Sequence, residues 1–252
     1  MKIRILSYNI HRAIGLDRRF APERIVEILK GHNADIVLLQ EVDEGAPRSD
    51  KLLLAKELAD AAGYPHYVMG HNVTLRKGKY GNATLSRFPI VNERNIDLTV
   101  GIRKRRGCQH TTLNLSSAPH PPLLLDVFNL HLGLSARERQ KQAGLLIHSK
   151  EFQEMDLDEP CIISGDFNDW RSLLRALFVE GLLFKCATDQ EQASGRSRAL
   201  RTFPSFAPQG GLDRLYYRGK GLELASAKRC QYKVSKIASD HLAIIVDFEI
   251  QE

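Results

Sequence analysis

The chain has 252 residues, of which 43% are hydrophobic and 26% are charged, and it carries a formal net charge of +6 at pH 7. This composition excludes a disordered or collagen-like chain, and no apolar run approaches the ~20 residues that a membrane-spanning helix needs. The excess of positive charge favours an anionic partner, such as nucleic acid, anionic lipid headgroups or phosphorylated metabolites.

Hydrophobic periodicity predicts ten strands and four helices. In chain order, strands are expected near residues 2–9, 35–40, 66–72, 82–87, 108–115, 123–130, 160–164, 213–217, 223–231 and 243–250. Helices are expected near 22–31, 50–62, 135–154 and 170–180. The segment 183–212 is rich in Ser, Gly, Gln and Arg, and we expect an irregular loop with a binding role there.

The elements begin as strand–helix–strand and continue through strand pairs joined by tight turns, which indicates mixed sheets. We expect an α/β fold with two mixed β-sheets packed face to face and helices outside, formed by one domain over residues 1–252. No basic segment followed by an apolar one opens the chain, so we expect no signal peptide and a cytoplasmic location. The four cysteines are scattered and form no C-x-x-C pair, which predicts reduced core thiols.

Polar side chains stand at five strand ends, and this recurrence is the main functional signal. The residues are Asn9, Glu41, His131, the pair Asp166 and Asn168, and the pair Asp240 and His241. Each of them alone is compatible with a turn, a cap or a satisfied core position. Together, in one basic domain, they indicate a single site.

The residue types suggest a metal-dependent reaction. Glu41 follows a nearly all-apolar strand, where a carboxylate is costly to bury unless it is paired or holds a metal ion. Glu41, Asp240 and Asn9 offer the hard oxygen ligands that Mg²⁺ prefers, with Mn²⁺ as the alternative, whereas zinc would call for more His and Cys. We therefore expect a magnesium site.

Two further pairs predict acid–base and phosphate chemistry. Asp166 and Asn168 are two residues apart, so their side chains share one side if the backbone stays extended. We expect Asp166 to orient or deprotonate a water molecule and Asn168 to bind a phosphate oxygen. Asp213 begins another strand and is expected to hold His241 in one tautomer, while His131 donates to developing negative charge.

These residues lie in an ordered set of motifs that resembles the endonuclease/exonuclease/phosphatase superfamily, which includes pancreatic-type deoxyribonucleases, abasic-site endonucleases, neutral sphingomyelinases, inositol-polyphosphate phosphatases and deadenylases. The motifs are Tyr8-Asn9-Ile10-His11, Leu39-Gln40-Glu41-Val42, the segment 81–89, Asn129-Leu130-His131-Leu132, Gly165-Asp166-Phe167-Asn168, Leu212-Asp213-Arg214 and Ser239-Asp240-His241. The resemblance implies a four-layer α/β sandwich that hydrolyses phosphoesters with a divalent metal at one edge of two sheets.

The resemblance also implies roles for single residues. It implies that Glu41 is the principal metal carboxylate, with Asn9 and Asp240 close to the metal. Asp166 and Asn168 would position water and phosphate.

The imidazoles and the basic residues complete this assignment. His241, held by Asp213, resembles the family's general base or its phosphate-stabilising histidine, and His131 resembles the second imidazole at the phosphate. Asn82 resembles a substrate-side residue. Arg12 and Arg106 are the expected substrate contacts. Arg106 belongs to one of four basic clusters, at 76–79, 103–106, 196–201 and 17–19.

The motifs indicate the type of reaction but leave several substrates open. Val42 and Asp43 after the metal glutamate, and His11 and Arg12 after Asn9, depart from the abasic-site branch, and the chain is most similar to small stand-alone bacterial members. We expect a monomeric nuclease acting on DNA, with endo- and exonuclease modes both open. The alternative is a phospholipid, phosphoinositide or other small phosphoester hydrolase. No apolar hairpin or amphipathic basic helix is evident, so we expect no stable membrane insertion.

Overall fold

The computed structural model describes residues 1–116, 122–191 and 197–251. Across these ranges the strands are β1 Lys2–Asn9, β2 Ile36–Glu44, β3 His66–Thr74, β4 Lys79–Ser86, β5 Ile90–Asp97, β6 Gly107–Asn114, β7 Leu124–His131, β8 Cys161–Asp166, β9 Lys185–Cys186, β10 Asp189–Glu191, β11 Ser197–Ala199, β12 Asp213–Arg218, β13 Leu222–Arg229 and β14 Ile244–Ile250. The α-helices are α1 Pro22–His32, α2 Leu54–Ala62, α3 Ala136–Ile147, α4 Lys150–Gln153 and α5 Ser235–Ala238. None of these helices is long and apolar enough to cross a bilayer.

Two six-stranded mixed sheets share the same internal plan. The first has the order β13-β14-β1-β2-β4-β3 and the second has the order β5-β6-β7-β8-β12-β9. In each sheet one central pair is parallel, β1 with β2 and β7 with β8, and the other pairs are antiparallel. The parallel pairs place Asn9 beside Gln40 and His131 beside Asp166, so polar residues gather where these strands end.

Three apolar cores separate four layers. The first core packs α1 and α2 on the outer face of the first sheet, with Ile25 and Leu58 among its members. The second core lies between the sheets and contains Leu38 and Val127. The third covers the outer face of the second sheet and includes Leu146 from α3. Because side chains alternate along a strand, neighbouring residues of β2 supply different cores, and the predicted four-layer sandwich is confirmed.

The predicted helices differ from the observed ones at three places. The second begins at Leu54 rather than near residue 50, because Asp50 and Lys51 both have positive φ. The third is two helices, since the Ser149 side chain accepts a hydrogen bond from the Phe152 N–H and caps α4. The predicted helix 170–180 is only partly correct, because turns occupy its first half; a short helical segment fills its second half and ends in the π-helical turn Leu177–Gly181.

Two strand predictions also need correction. The strand β5 was not expected, because it is an edge strand exposed on both faces and shows no apolar alternation. The segment 183–212 is not uniformly irregular, since it contains β9, β10 and β11. Residues 192–196, which include part of the third basic cluster, lie outside the described residues.

Buried amides join the two sheets near the edge where the parallel pairs end. The Asn129 side chain on β7 donates to the carbonyl oxygens of Leu39 at 3.1 Å and Ala83 at 3.0 Å. The Asn129 Oδ1 accepts a hydrogen bond from Gln40 Nε2 at 2.8 Å, and the Asn129 backbone carbonyl accepts one from Asn82 Nδ2 at 3.0 Å. These bonds satisfy polar groups in a dry interface and set how the sheets sit on each other.

We expect Asn129→Ala to lower the free energy of unfolding by about 2–4 kcal/mol, because three hydrogen bonds are lost and buried partners stay unpaired. Urea unfolding measures this change. The matched control is Asn92→Ala on the exposed strand β5, which should change stability by less than about 0.5 kcal/mol. Equal, small effects in both variants would show that the amides do not bind the sheets together.

Candidate active site

The end of β1 turns sharply, and this turn directs Arg12 toward Glu41. The Asn9 Oδ1 accepts a hydrogen bond from the His11 N–H at 3.1 Å, and His11, Arg12 and Ala13 all have positive φ, at 45°, 61° and 57°. Three consecutive left-handed non-glycine residues are costly and persist only where the surroundings fix them, which is typical of functional sites. Arg12 Nε lies 3.7 Å from Glu41 Oε2.

Glu41 is placed by a bulge in β2. The pairing of β2 with β4 shifts register between Leu39 and Val42, and Glu41 has a φ of 58°. Such a bulge re-aims the side chain, which here is 14% exposed. Within the described residues, the buried Oε2 has no hydrogen-bond partner. A buried carboxylate oxygen without a hydrogen-bond partner costs free energy of folding unless a ligand binds it.

Asp166, at the end of β8, connects the other predicted site residues. Its Oδ2 accepts from Asn9 Nδ2 at 3.1 Å and lies 3.4 Å from His131 Nε2 and 3.6 Å from His241 Nε2. Its Oδ1 accepts from the Asn168 N–H at 2.9 Å. Asn9 ends a strand of the first sheet and His131 ends a strand of the second. The buried Asp166 carboxylate therefore contacts side chains from both sheets.

His241 is held from its other side. Its Nδ1 lies 2.9 Å from Asp213 Oδ2, which also accepts a hydrogen bond from the Thr202 hydroxyl. Burial lowers the pKa of His241, but the charges of Asp213 and Asp166 outweigh it and raise the pKa to about 10. The imidazole is therefore cationic at neutral pH. This favours the phosphate-stabilising role over the general-base role, since a cation cannot accept a proton.

His131 has the opposite ionisation. Burial, helped by the charges of Arg106, Lys104 and His241, holds the pKa of His131 well below its usual range, so this imidazole is neutral. Burial also raises the pKa of Asp166 above that of an ordinary aspartate, although the charge of His241 opposes this shift. A carboxylate whose pKa moves toward neutrality is better suited to accept a proton from water.

The two asparagines reach the site differently from the prediction. Asp166 and Asn168 would share one side only on an extended backbone, and this condition is not met: β8 ends at Asp166, and Asn168 has a φ of 51°. Asn168 instead folds back, and its Nδ2 donates to the Leu132 carbonyl at 3.0 Å. Asn82 uses Nδ2 to donate to two backbone carbonyls, of Gly107 and Asn129, so only its Oδ1 remains to meet a ligand.

Two predicted residues lie at the margin of this cluster. Asp240 is half-buried, accepts a hydrogen bond from the Ser239 hydroxyl at 3.3 Å, and its charge contributes to the raised pKa of His241. Arg106 directly precedes β6, is 6% exposed, and its Nε has no hydrogen-bond partner in the described ranges. The structure therefore brings the predicted residues to one edge, while their individual roles remain predictions.

An aromatic wall beside His241 was not foreseen as a unit. Phe203 lies 5.0 Å from the His241 ring, and Trp170 packs edge-on against Phe203 at 5.6 Å between centroids. The Trp170 side chain is still 56% exposed, so one face of an indole is open next to the site. Thr202 and Phe203 lie in the Arg-Thr-Phe-Pro stretch at 201–204, to which the sequence pattern gives no role.

The donor set fits a divalent cation. Asp166, Asp213 and His241 offer ligand atoms within 4.8 Å of one another, and His241 lies between the two carboxylates, 2.9 Å from Asp213 and 3.6 Å from Asp166. Buried carboxylate oxygens without a hydrogen-bond partner in the described ranges are Asp213 Oδ1 and Glu41 Oε2. The Asp213 oxygen is next to the cationic His241, whereas Glu41 has Asp240 and Asn9 as further oxygen donors in the predicted metal site. Glu41, Asp240 and Asn9 would therefore hold the ion, with all-oxygen ligation typical of a hard cation.

In the metal-free protein we expect Asp213→Asn to lower the pKa of His241, because the Asp213 charge is the largest influence that raises it. Since the folded pKa of about 10 exceeds the ordinary histidine pKa of 6.5, the ion pair stabilises the fold fully below the lower value. That contribution is lost as pH rises through the higher value. Unfolding in urea with EDTA across this window should show the loss in wild type and a smaller one in Asp213→Asn.

The matched control for this experiment is Asp158→Asn, which removes an exposed carboxylate that lies before β8, at the end of this strand opposite to Asp166. It should reproduce the wild-type dependence of stability on pH. A wild-type slope in Asp213→Asn would contradict the ion pair.

Comparisons with known proteins agree with this geometry. The model of the Endonuclease/Exonuclease/phosphatase family matches residues 6–241. The chain is also 29% identical over 256 residues to the uncharacterized protein YbhP of Escherichia coli K12, covering 98% of this chain and 96% of that protein.

Solved structures share the architecture. The catalytic domain of human nocturnin, with a bound sulfate anion, has a TM-score of 0.76 at 24% identity, covering 99% of this chain and 95% of that one. A mannosyl-6-phosphatase of Bacteroides thetaiotaomicron has a TM-score of 0.72 at 18% identity, covering 98% of this chain and 99% of that one. At these identities the likeness shows a common fold.

Proposed function

The chain belongs to the endonuclease/exonuclease/phosphatase family, and on that premise we propose that it is a Mg²⁺-dependent phosphodiesterase whose substrate is DNA. Members of this family are hydrolases of phosphoesters and generally use a divalent metal. The finer assignment rests on the side chains around the site. The observation that carries it is the open face of Trp170, one aromatic ring away from the cationic His241.

Each of the central side chains has a separate role in hydrolysis. Asp166, whose pKa is raised by burial, accepts a proton from the attacking water. His241, kept cationic by Asp213, neutralises charge that develops on the phosphate oxygens, and neutral His131 donates a hydrogen bond to them. When bound at Glu41, Mg²⁺ supplies Lewis-acid polarisation of the phosphoryl group.

Two kinds of surface beside this centre suit a polynucleotide. Arg12 and Arg106 present guanidinium groups for phosphate oxygens, and each has a buried Nε without a partner among the described residues. Trp170 offers a stacking face for a base next to the cleaved phosphate, a contact that tolerates any base. The combination predicts nuclease activity with little sequence preference.

One observation favours phospholipid or phosphoinositide headgroups as a second candidate. Ile102 is fully exposed in the loop between β5 and β6, directly before the basic run 103–106, and Leu134 is 77% exposed after β7. The sequence pattern had given no hint of such an apolar tip. Exposed aliphatic side chains beside basic ones suit the surface of an anionic membrane.

The test of the function is hydrolysis of labelled single- and double-stranded DNA, sphingomyelin and phosphoinositides, each with Mg²⁺ and with EDTA. We expect EDTA-sensitive DNA cleavage that Glu41→Gln abolishes, because the amide removes the charge that holds the metal ion. Glu44→Gln, at the end of the same strand, is the matched control and should cleave normally. Release of headgroups without DNA cleavage would transfer the assignment to lipids.

We expect Trp170→Ala to weaken single-stranded DNA binding in EDTA by about tenfold, the usual effect of losing one stacked base. Trp170→Phe should retain most of the affinity, because a ring remains. Fluorescence anisotropy with a labelled oligonucleotide measures the change. Leu183→Ala removes an equally exposed apolar side chain elsewhere and should bind as wild type; the same affinity in Trp170→Ala would remove the indole from the interface.

A further inference from the structure

We infer that the side of the site formed by Arg48, Tyr80, Lys104 and Arg106 is a subsite for a second phosphate group of the substrate, distinct from the phosphate that is cleaved. We call these four residues the Tyr80 subsite. The inference rests on the proposed phosphodiesterase function, since it assigns what else the substrate carries.

The Tyr80 ring forms the floor of this subsite. Tyr80 lies near the start of β4, opposite Asp43 of β2, and is 5% exposed. Lys104 Nζ lies 5.3 Å from the ring centroid and Arg48 Cζ lies 5.6 Å from it. Two cations from separate loops therefore converge on one aromatic ring, a placement that cation–π attraction favours.

Arg48 is fixed in place from behind. Its Nε and one terminal nitrogen donate to the two oxygens of Asp43, both at 2.7 Å, and Asp43 is fully buried. The Ser49 hydroxyl donates to the same carboxylate at 3.1 Å. A planar guanidinium held at one edge by a buried carboxylate is pre-ordered, which is the usual way to recognise an anion with its remaining donors.

The floor also holds an unsatisfied donor. Arg106 is only 6% exposed, and its Nε has no hydrogen-bond partner among the described residues. A buried donor in this state costs free energy until an acceptor reaches it. The Tyr80 hydroxyl is also buried without a hydrogen-bond partner among the described residues, so the floor offers two polar groups that a phosphate oxygen would satisfy.

The charges around Glu41 do not balance. Arg12 lies 3.7 Å from Glu41, and burial together with the charges of Arg106, Arg12 and Arg48 lowers the pKa of Lys104. Arg12 pairs with Glu41 and Arg48 with Asp43, and Lys104 and Arg106 add two further positive charges beside them. A divalent ion at Glu41 would add to the excess, and a phosphodiester carries a single negative charge. A phosphomonoester, with a charge of about −1.5 to −2, supplies the missing anion.

The residues of the subsite run from the interior to the surface. Tyr80 and Arg106 are nearly inaccessible, whereas Arg48 and Lys104 are exposed. The exposed cations can therefore meet a phosphate monoester, whose charge matches the positive excess. Two sources share this chemistry: the terminal phosphate of a nucleic acid and a phosphate on a lipid headgroup.

The experiment compares two soluble probes that differ only in the second phosphate. They are the p-nitrophenyl phosphodiester of thymidine, with or without a phosphate on the other sugar hydroxyl. We expect wild type with Mg²⁺ to prefer the phosphorylated probe in kcat/KM by about tenfold, the effect of one charge-assisted contact. Lys104→Gln should lose most of this preference.

The choice of variant keeps the fold intact. Lys104 makes no ion pair in the described part of the chain, whereas Arg48→Gln would leave the buried Asp43 unpaired and cause unfolding. Lys30→Gln on the outer helix α1 removes the same charge away from the site and should keep the preference. Thermal unfolding of all three proteins confirms that they are folded.

The outcomes separate the subsite from the function on which it rests. Equal hydrolysis of both probes by wild type, or an unchanged preference in Lys104→Gln, overturns the subsite and leaves the phosphodiesterase standing. Hydrolysis of neither probe overturns the proposed function and the subsite with it.

Two further matched pairs identify the source of the second phosphate. One is an oligonucleotide with and without a terminal phosphate, and the other is phosphatidylinositol with and without a phosphate on the inositol ring, in vesicles. A preference that depends on Lys104 in the first pair alone assigns a nucleic-acid end, and in the second pair alone a lipid headgroup. A preference in neither pair overturns the subsite.

Discussion

The site depends on one buried carboxylate, that of Asp166. Removing a charge from water is expensive, and the cost is offset here by the amide of Asn9, the N–H of Asn168 and the cationic ring of His241. Asn9 and His241 belong to segments that border the first sheet, whereas Asp166 ends a strand of the second. The group that positions the chemistry is therefore also a bond between the two halves of the sandwich.

Buried side-chain amides connect the two sheets in the interior, as Asp166 does at the edge. The side chains of Asn129, Gln40 and Asn82 form hydrogen bonds across the space between the sheets, next to the apolar core that fills most of it. Apolar packing alone tolerates small sliding of one sheet on the other. Directional bonds do not, and they lie directly beneath the edge where His131 and His241 must approach one carboxylate. The hydrogen bonds in the interior thus help to fix the positions of His131 and His241 relative to Asp166.

The sequence predicted the sandwich and the membership of the edge because both follow from regular patterns. Strand periodicity marks where strands end, and polar residues at those ends are visible in the printed chain. Asn168 was misplaced because its left-handed turn has no periodic signature, and β5 was missed because an exposed edge strand carries no apolar alternation.

The ionisation of the site and its flanking pocket had no sequence signal at all. The opposite protonation of His131 and His241 arises from burial and from charges that are distant in the chain, such as Arg106 and Asp213. Tyr80, Arg48 and Lys104 meet only because β2, β4 and the loop before β6 converge. Such long-range contacts belong to the tertiary structure and not to any local segment.

The sheet order has a consequence for the time at which the enzyme becomes active. The first sheet is closed by β14 pairing with β1, and Asp240 and His241 stand directly before β14. A growing chain on the ribosome therefore exposes most of its strands before the residues that complete the site are made. Such non-local pairing also slows folding. The topology acts as a delay, because the site is complete only after β14 has been made and has paired with β1.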